Sequence, residues 1–475
     1  MIIGRAHEIE ILNKVILDDS SHFIAVYGRR RIGKTYLIRE VYNYSFAFSH
    51  AGLSSGNMRE QLFAFTSSLK DTGLKVNKLP KNWLEAFEYL KDVIRKSTEK
   101  KKIIFIDELS WMDTPKSDLM MALENFWNSF ASSRKDVVLI VCASATSWML
   151  SKVIHNKGGL YNRLTEQIHL VPFELNECLE YVNKNNLNLN KEQILQFYMI
   201  FGGVPYYWGF IKRGYSLYQN IDSMLFASDA PLKEEYQYLY ASIFRKPKAY
   251  LEIIEALANK KSGLTREEII KYTGIGNTGD LSNKLEELEV CGFIKKYNVP
   301  GNKKKNAIFQ LIDNYTLFYH QFLKEYPSDE HFWSNQINNP KINTWMGLAF
   351  ERVCFAHIKQ IKKKLGIANV LTEVYSWKTS ADLDNGIVGS QIDMLIVRKD
   401  QTINLCEIKY SNSEYIITKS VDTKIKNKIN DFILSTKSKY TIQPTLITTY
   451  GLVNNSYSTN ISFIVTMEDL FEKNI

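Results

Sequence analysis

Several kinds of protein are excluded by what this 475-residue chain has little of. No apolar run approaches the roughly 18 residues that a membrane span needs, and the charged start MIIGRAHEIEIL is unlike a signal peptide. The few cysteines form no CxxC pair, so neither a disulfide framework nor a zinc site is implied. The sequence therefore predicts a soluble, cytoplasmic protein with no membrane partner. The five cysteines are Cys142, Cys178, Cys291, Cys354 and Cys406.

Length and charge set two further expectations. At the usual size of roughly 100 to 200 residues per domain, 475 residues predict about three domains. The net charge of +9 and the pI near 8.9 are compatible with a polyanionic partner such as DNA. A lysine-rich surface that only confers solubility explains the same numbers, so both interpretations stay open.

The order of patterns along the chain predicts an α/β protein of several modules. Residues 1–173 alternate apolar strand-like runs with helical stretches, as in a parallel sheet covered on both faces. A helical lid is predicted over 174–240. Three short amphipathic helices and two strand-like ends predict a winged helix over 241–325, with NVPGNKKKN as its wing. A second α/β module is expected over 340–475.

The predicted winged helix has two functional interpretations. Its last helix is expected to begin after Gly279 with Asp280 as the cap, and the wing lysines Lys303, Lys304 and Lys305 could meet DNA phosphates. Winged helices also serve as rigid spacers or protein-contact modules. The sequence leaves both roles open.

A glycine-rich loop follows the first predicted strand directly. The segment GRRRIGKT fits GxxxxGK[ST] between the strand HFIAVY and a helix beginning near Lys34. In such a loop backbone N–H groups turn onto phosphate oxygens, Lys34 reaches the β and γ phosphates, and the Thr35 hydroxyl ligates Mg²⁺. ATP and Mg²⁺ are thus the predicted cofactors, and the three arginines either add positive potential there or are solvated. The residues expected to line the nucleotide are Gly28, Arg29, Arg30, Arg31, Ile32, Gly33, Lys34, Thr35 and Tyr36.

Polar residues at the ends of later strands supply partners for this loop. The run KKIIFIDE ends in Asp107, expected to hold Mg²⁺ through water, and Glu108, expected to polarise the attacking water. Ser144 either senses the γ-phosphate or is an ordinary strand-end serine. Arg163 either is solvated or reaches a phosphate in this subunit or in a neighbour's, and the last role would require a homo-oligomer.

These motifs, with IGRAHEIEIL at 3–12 and GGVPYYW at 202–208, resemble archaeal-type P-loop ATPases of the AAA+/STAND group over roughly the first 235 residues. The resemblance implies ATP binding and hydrolysis, but no particular output, because members of the group act on very different partners. It also implies that an N-terminal element packs by the adenine and that a Gly-x-Pro element lies in the lid. Those elements are here Gly4, Arg5 and Glu8, and Gly203 and Pro205.

A second group of charged residues lies near the C-terminus, in INLCEIKYS at 403–411. Side chains alternate along a strand, so Glu407 and Lys409 share one face, and a hairpin through KDQT would bring Asp393 beside them. Two carboxylates and the carbonyl of Ile408 offer oxygen ligands to Mg²⁺, and Lys409 can orient or deprotonate a water for phosphodiester cleavage. Glu351, on the buried side of a preceding helix, adds a further acid. A cross-strand ion pair is the alternative meaning of such residues.

A helix, then Asp, then Glu-x-Lys resembles the PD-(D/E)XK nuclease fold over about 345–470. The resemblance implies a restriction-endonuclease-like α/β domain in which Asp393 and Glu407 are metal ligands and Lys409 is catalytic. Archaeal-type ATPases joined through a winged helix to such a region form a recognised family, and this chain resembles it along nearly its whole length.

The main hypothesis from the sequence is an ATP-hydrolysing protein that acts on DNA as an ATP-regulated, Mg²⁺-dependent nuclease. The rival hypothesis is a nucleotide-controlled module that binds DNA or protein and whose nuclease-like domain does not cut. A third is an ATPase that acts on a protein partner without any nucleic acid. Complete residue sets for both chemistries in one chain favour the first.

Overall fold

A five-stranded parallel sheet forms the centre of the N-terminal module. The structure is a computed structural model and describes residues 2–156, 158–244, 246–260, 262–297, 307–325, 327–337, 339–382, 384 and 386–473. The strand order is β2-β3-β4-β1-β5, and every neighbouring pair is parallel. The strands are β1 (His22–Tyr27), β2 (Phe48–Ala51), β3 (Lys102–Asp107), β4 (Val137–Ala143) and β5 (Glu166–His169).

Helices cover both faces of this sheet. Alternate side chains of β1 enter different cores, Phe23 and Ala25 one, Ile24 and Val26 the other, because successive strand residues point to opposite faces. The predicted α/β class with a parallel sheet is confirmed. The helices are α1 (Ala6–Leu17), α2 (Lys34–Val41), α3 (Met58–Asp71), α4 (Trp83–Lys96), α5 (Leu109–Met112), α6 (Leu119–Phe126) and α7 (Thr146–Trp148), with π-helical turns at Trp127–Ala131 and Met149–Ile154.

A helical segment follows the sheet, where the lid is predicted. The connection from β5 meets this segment at Gly203, whose carbonyl accepts a 2.7 Å hydrogen bond from the Phe173 N–H. A Cβ at Gly203 would lie 1.8 Å from the Phe173 carbonyl oxygen, so the close approach requires glycine. The helices are α8 (Leu175–Lys184), α9 (Lys191–Phe201), α10 (Pro205–Trp208), α11 (Leu217–Leu225) and α12 (Glu235–Ile243).

A small unit of three helices and three antiparallel strands comes next. Its strand order is β6-β8-β7. The predicted wing, with Lys303, Lys304 and Lys305, lies outside the described residues. One local expectation is wrong, because Thr278 is the N-cap of α15 and Asp280 lies in its first turn, ion-paired with Lys284. The elements are α13 (Lys248–Ala258), β6 (Leu264–Thr265), α14 (Arg266–Thr273), α15 (Gly279–Val290), β7 (Ile294–Tyr297) and β8 (Ile308–Leu311).

The C-terminal part is built on a mixed five-stranded sheet of order β13-β12-β11-β10-β9. The predicted hairpin is present, since β10 and β11 pair antiparallel, and β11, β12 and β13 are parallel. The strands are β9 (Thr372–Lys378), β10 (Gln391–Arg398), β11 (Thr402–Lys409), β12 (Thr441–Thr448) and β13 (Phe463–Thr466). The helices are α16 (Asn314–Phe318), α17 (Phe332–Asn335), α18 (Pro340–Ala356), α19 (Ile358–Lys364), α20 (Lys419–Thr436) and α21 (Met467–Leu470), with a π-helical turn at Tyr319–Leu323 and a 3₁₀ turn at Ser458–Asn460.

One hydrophobic core joins the last three modules. It runs without interruption from Phe173 through the small unit to Phe471. Residues on both sides of positions 240 and 325 therefore belong to this core. Within the described ranges, no helix combines the length and apolar character that crossing a bilayer requires.

Candidate functional sites

The phosphate loop connects β1 to α2 through two glycines with positive φ. Gly28 has φ 138° and Gly33 has φ 88°, values that residues with a side chain rarely adopt. A Cβ at Gly28 would also meet the Leu170 carbonyl oxygen at 2.2 Å. The loop thus delivers the chain to the N-terminus of α2, where free backbone N–H groups and the helix dipole favour an anion.

Lys34 and Thr35 begin α2, and their side chains lie as the motif predicts. The Lys34 Nζ donates to the carbonyls of Gly28 at 2.9 Å and Arg29 at 3.1 Å. Burial lowers the pKa of Lys34, an effect that Glu108 opposes. The Thr35 hydroxyl donates to the Asp107 carboxylate at 2.6 Å. This pair of hard oxygen donors at the end of β3 has the chemistry of a Mg²⁺ site.

Ser144 binds Glu108 directly. Its Oγ donates to Glu108 Oε1 at 2.5 Å and its backbone N–H donates to Oε2 at 3.1 Å. The Lys34 Nζ in turn donates to the Ser144 Oγ at 3.1 Å. The Glu108 backbone is left-handed, with φ 49°, and such strain tends to mark functional positions. Ser144 therefore links Lys34 to the acid predicted to activate water.

The C-terminal site brings Asp393, Glu407 and Lys409 together. The hairpin pairs Met394 with Cys406, which sets Asp393 opposite Glu407. The Lys409 Nζ lies 2.7 Å from Glu407 Oε1 and 4.0 Å from Asp393 Oδ2. Asp393 Oδ2 also accepts a hydrogen bond from the Ile408 N–H at 2.9 Å. Residues fourteen positions apart in the sequence thus form one charged cluster.

Burial and neighbouring charges shift the pKa values of the acids in this cluster in different directions. Burial, followed by the charge of Glu407, raises the pKa of Asp393. Burial also acts to raise the pKa of Glu407, but the nearby lysines hold it below its usual value. Glu351 on α18 has its pKa raised to about 7, by burial first and by the charge of Asp393 second. A carboxyl that titrates near neutrality is suited to proton transfer.

Lys428 is a further member of this cluster that was not predicted from the sequence. Its Nζ lies 2.5 Å from Glu407 Oε2, the oxygen that Lys409 leaves free, and its side chain is largely buried. Lys424 and Lys428 are one helical turn apart on α20 and line a cleft of about 370 Å³ beside Glu407 and Lys409. The four-residue lysine spacing in KIKNKIN was the available signal.

The carboxylate oxygens of this cluster suit a hard cation, but lysine side chains bind the oxygens of Glu407 in this structure. Carboxylate oxygens are the ligands that Mg²⁺ prefers. Each Glu407 oxygen is bound by a lysine. Over the residues that the structure describes, no three His, Cys, Asp or Glu side chains are grouped as metal ligands. Metal binding at Asp393 and Glu407 would require the lysine contacts to rearrange.

Two described protein families match parts of this chain. The profile of a family described as an ATPase domain predominantly from Archaea matches residues 2–209. Residues 2–209 therefore resemble an archaeal-type P-loop ATPase domain, called the ATPase domain below. A second family, described as archaeal and bacterial proteins of unknown function, matches residues 317–429. That second match spans Glu351, Asp393, Glu407, Lys409 and Lys428.

Individual proteins resemble the chain more distantly. An uncharacterized protein of Methanocaldococcus jannaschii is 24% identical over 420 residues, or 87% of this chain and 88% of that protein. The Walker-type ATPase of Pyrococcus abyssi aligns with a TM-score of 0.47 and 16% identity over 66% of this chain and 95% of its own. The Aeropyrum pernix ORC2 protein, solved as ADPNP-ADP complexes, gives a TM-score of 0.34 and 12% identity over 73% and 95%.

Two arginines of the phosphate loop depart from the prediction. Instead of adding free positive charge beside a nucleotide, the Arg29 guanidinium forms a buried ion pair with Asp313 at 2.5 Å and lies over the Phe293 ring. Arg31 forms an ion pair with Glu235 of α12 and lies over Tyr206. The phosphate loop of the ATPase domain is thereby tied to the lid and to the small unit. The partially exposed Arg30 is the remaining arginine of the run.

Other predicted residues lie as follows in the ATPase domain. The Arg5 guanidinium is buried, donates to the Val171 carbonyl at 2.7 Å and lies over the Phe173 ring, next to the connection into the lid. Ile32 is buried in the core under the loop, and Tyr36 is exposed on α2. Arg163 is exposed in the turn before β5, a position compatible with solvation and with reaching a neighbouring subunit.

Proposed function

We propose that the chain is an ATP-hydrolysing protein that acts on DNA and that its C-terminal module is a Mg²⁺-dependent nuclease of the PD-(D/E)XK type. The observation that carries the nuclease part is the meeting of Asp393, Glu407 and Lys409 on one hairpin. A helix carboxyl of raised pKa, Glu351, stands beside them. The ATPase domain in the same chain would regulate this nuclease through ATP.

In the ATPase domain, Lys34 would neutralise the β and γ phosphates as its contacts with the loop carbonyls are exchanged for phosphate oxygens. Thr35 and Asp107 would hold Mg²⁺, which supplies charge neutralisation when bound. Glu108 would orient the attacking water once its carboxylate leaves Ser144. Because Ser144 contacts both residues, it would link a change in the contacts of Lys34 to the release of the Glu108 carboxylate.

In the C-terminal module, Asp393 and Glu407 would hold a Mg²⁺ ion that neutralises phosphate charge when bound. Lys409 would orient the attacking water and offset the charge that develops on the phosphoryl oxygens. Glu351 titrates near neutrality and would exchange protons with this water. Attack forms a bond from the water oxygen to phosphorus, the bond to the leaving oxygen breaks, and that oxygen takes up a proton.

We further propose that the small unit of α13 to β8 is a winged helix that contacts DNA or spaces the modules. The order of its elements, with three helices and a three-stranded antiparallel sheet, supports this assignment. Ser282 and Asn283 are exposed on α15 and are the residues available to a groove. The glutamates that follow them on the same helix favour the spacer role.

The proposed function is tested by DNA cleavage. Mixed single- and double-stranded DNA is incubated with Mg²⁺, with and without ATP, using the wild type, Glu407→Ala and Lys34→Ala. Mg²⁺-dependent products that Glu407→Ala abolishes would support the nuclease, and Lys34→Ala would report whether ATP controls it. ATP hydrolysis without any cleavage under all nucleotide conditions would overturn the nuclease part.

A second candidate is a nucleotide-controlled binding module with a non-cleaving C-terminal domain. The lysines on both oxygens of Glu407 favour it, because the cluster satisfies its own charge without a metal ion. DNA binding with a steep salt dependence but no Mg²⁺-dependent product would select this candidate. Absence of DNA binding even at low salt would point to a protein partner instead.

A further inference from the structure

A chamber of about 1190 Å³ lies where three modules meet. Arg29 of the phosphate loop, Lys295 of the small unit and Trp377 of the C-terminal sheet lie on its walls. The residues that line it do not include Lys34 or Thr35, so the chamber is distinct from the phosphate site of the ATPase domain. Its size exceeds the roughly 300 to 1,000 Å³ of small-molecule pockets.

Among the described residues, five cationic and five acidic side chains line the chamber, and two of the cations have unused donors. The Nε and Nη2 of Arg29 and the Nη2 of Arg352 are buried and have no hydrogen-bond partner. Burial lowers the pKa of Arg352 to about 10, which still leaves it charged at neutral pH. Buried donors without acceptors cost free energy, and since Arg29 and Arg352 lie on the chamber wall, a small side-chain movement would let ligand acceptors satisfy them. The exposed Lys295 and Lys378 add positive charge.

The chamber adjoins the charged cluster of the C-terminal site. Glu351 and Asp393 form part of its wall, and Asp393 also lines the smaller cleft that holds Glu407 and Lys409. A chain of phosphates in the chamber would therefore place one phosphate between the acids and the lysines. Tyr375 and Trp377 of β9 line the same space and offer the aromatic faces on which bases stack.

We propose that this chamber binds single-stranded nucleic acid and leads it to the cluster at Asp393. The inference rests on the proposed nuclease function and names its substrate class. The major and minor grooves of a DNA duplex are about 8.5 and 7.5 Å deep, so the duplex is at least roughly 16 Å wide. Each base-pair step of about 3.4 Å therefore fills roughly 700 Å³. The chamber holds fewer than two such steps, which is too short for a duplex site, but roughly three nucleotides of one strand.

The test measures binding under conditions that stop metal-dependent cleavage. Fluorescence anisotropy of a 5′-labelled thymidine 12-mer with the full chain in EDTA gives the affinity, against a duplex of the same length and against thymidine monophosphate as competitors. Lys295→Ala and Lys378→Ala alter the chamber at exposed positions, and Arg352→Met alters its interior. Lys399→Ala is the matched control, because Lys399 is 70% exposed on the adjacent hairpin turn and does not line the chamber.

We expect the single strand to bind at least tenfold more tightly than the duplex and the monophosphate. Each chamber lysine variant should weaken binding about three- to fivefold and reduce the slope of log affinity against log salt by about 0.7. Equal affinity for duplex, equal competition by the monophosphate, or wild-type affinity in both lysine variants would overturn the inference. If the single strand binds but is not cleaved, only the proposed nuclease function is overturned. If duplex DNA is cleaved and the chamber variants cleave it normally, only the proposed binding chamber is overturned.

Discussion

Replacing Asp313 with asparagine should destabilise the protein severely, because it leaves a buried arginine without its counter-ion. Both Arg29 and Asp313 are about 7% exposed, and they are joined at 2.5 Å. Asp313 Oδ2 separately caps α16 through the Thr316 N–H at 3.0 Å and hydroxyl at 2.6 Å. Asparagine caps helices about as well as aspartate. Asp313→Asn can therefore keep the cap through its one oxygen, while it removes the charge and turns an NH₂ donor toward Arg29 in place of the accepting Oδ1.

The expected cost follows from breaking one side of a buried ion pair, which is about 3 to 5 kcal/mol. At about 2 to 4 °C per kcal/mol for a unit of 150 to 250 residues, the midpoint of thermal unfolding should fall by about 6 to 20 °C. Differential scanning calorimetry of the full chain measures this. The control is Glu255→Gln at the surface pair with Lys324, where both side chains are about half exposed; a loss below about 1 kcal/mol is expected.

A double variant separates the charge from the contact. Arg29→Met with Asp313→Asn removes both buried charges, so its midpoint should lie above that of Asp313→Asn alone. A loss below about 1 kcal/mol in Asp313→Asn, or a double variant no more stable than the single one, would refute the reasoning. Either result would mean that the Arg29 guanidinium has water or another acceptor in solution.

Three further predictions concern single positions. Glu351 has a pKa raised to about 7, so between about pH 4.5 and 7 the folded state holds a proton that the unfolded state loses. The free energy of unfolding should therefore fall as pH rises through that window, by up to about 3 kcal/mol. Glu351→Gln should make the thermal unfolding midpoint less dependent on pH between pH 5 and 8, and an unchanged dependence would exclude Glu351 as the cause. Gly203→Ala forces a Cβ to within 1.8 Å of the Phe173 carbonyl oxygen and should lower the unfolding midpoint by several degrees, whereas Gly279→Ala, with open space around it, should not; equal midpoints would contradict the close approach. If Arg163 acts on a neighbouring subunit, ATP hydrolysis per chain should rise with protein concentration, and Arg163→Ala should abolish that rise; a rate per chain independent of concentration would remove this role.

Local sequence patterns predicted the phosphate loop and the hairpin well. Gly28 and Gly33 mark backbone conformations that other residues avoid, and alternation along β10 and β11 sets Asp393 beside Glu407. These features depend on residues within about fifteen positions of one another, where strand and helix periodicity determine which side chains meet. The cap at the start of α15 was predicted less accurately, because Thr278 and Asp280 are both good capping residues and only packing chooses between them.

The sequence by itself thus determined the parallel α/β class, the phosphate loop and the cluster of Asp393, Glu407 and Lys409. Only the tertiary structure decided where the loop arginines go, because Arg29 and Asp313 are 284 positions apart and no local periodicity relates them. It likewise brought Lys428 from α20 to Glu407 and enclosed the chamber between modules. Such contacts arise from the packing of whole elements around a shared core, a property that short-range patterns do not encode.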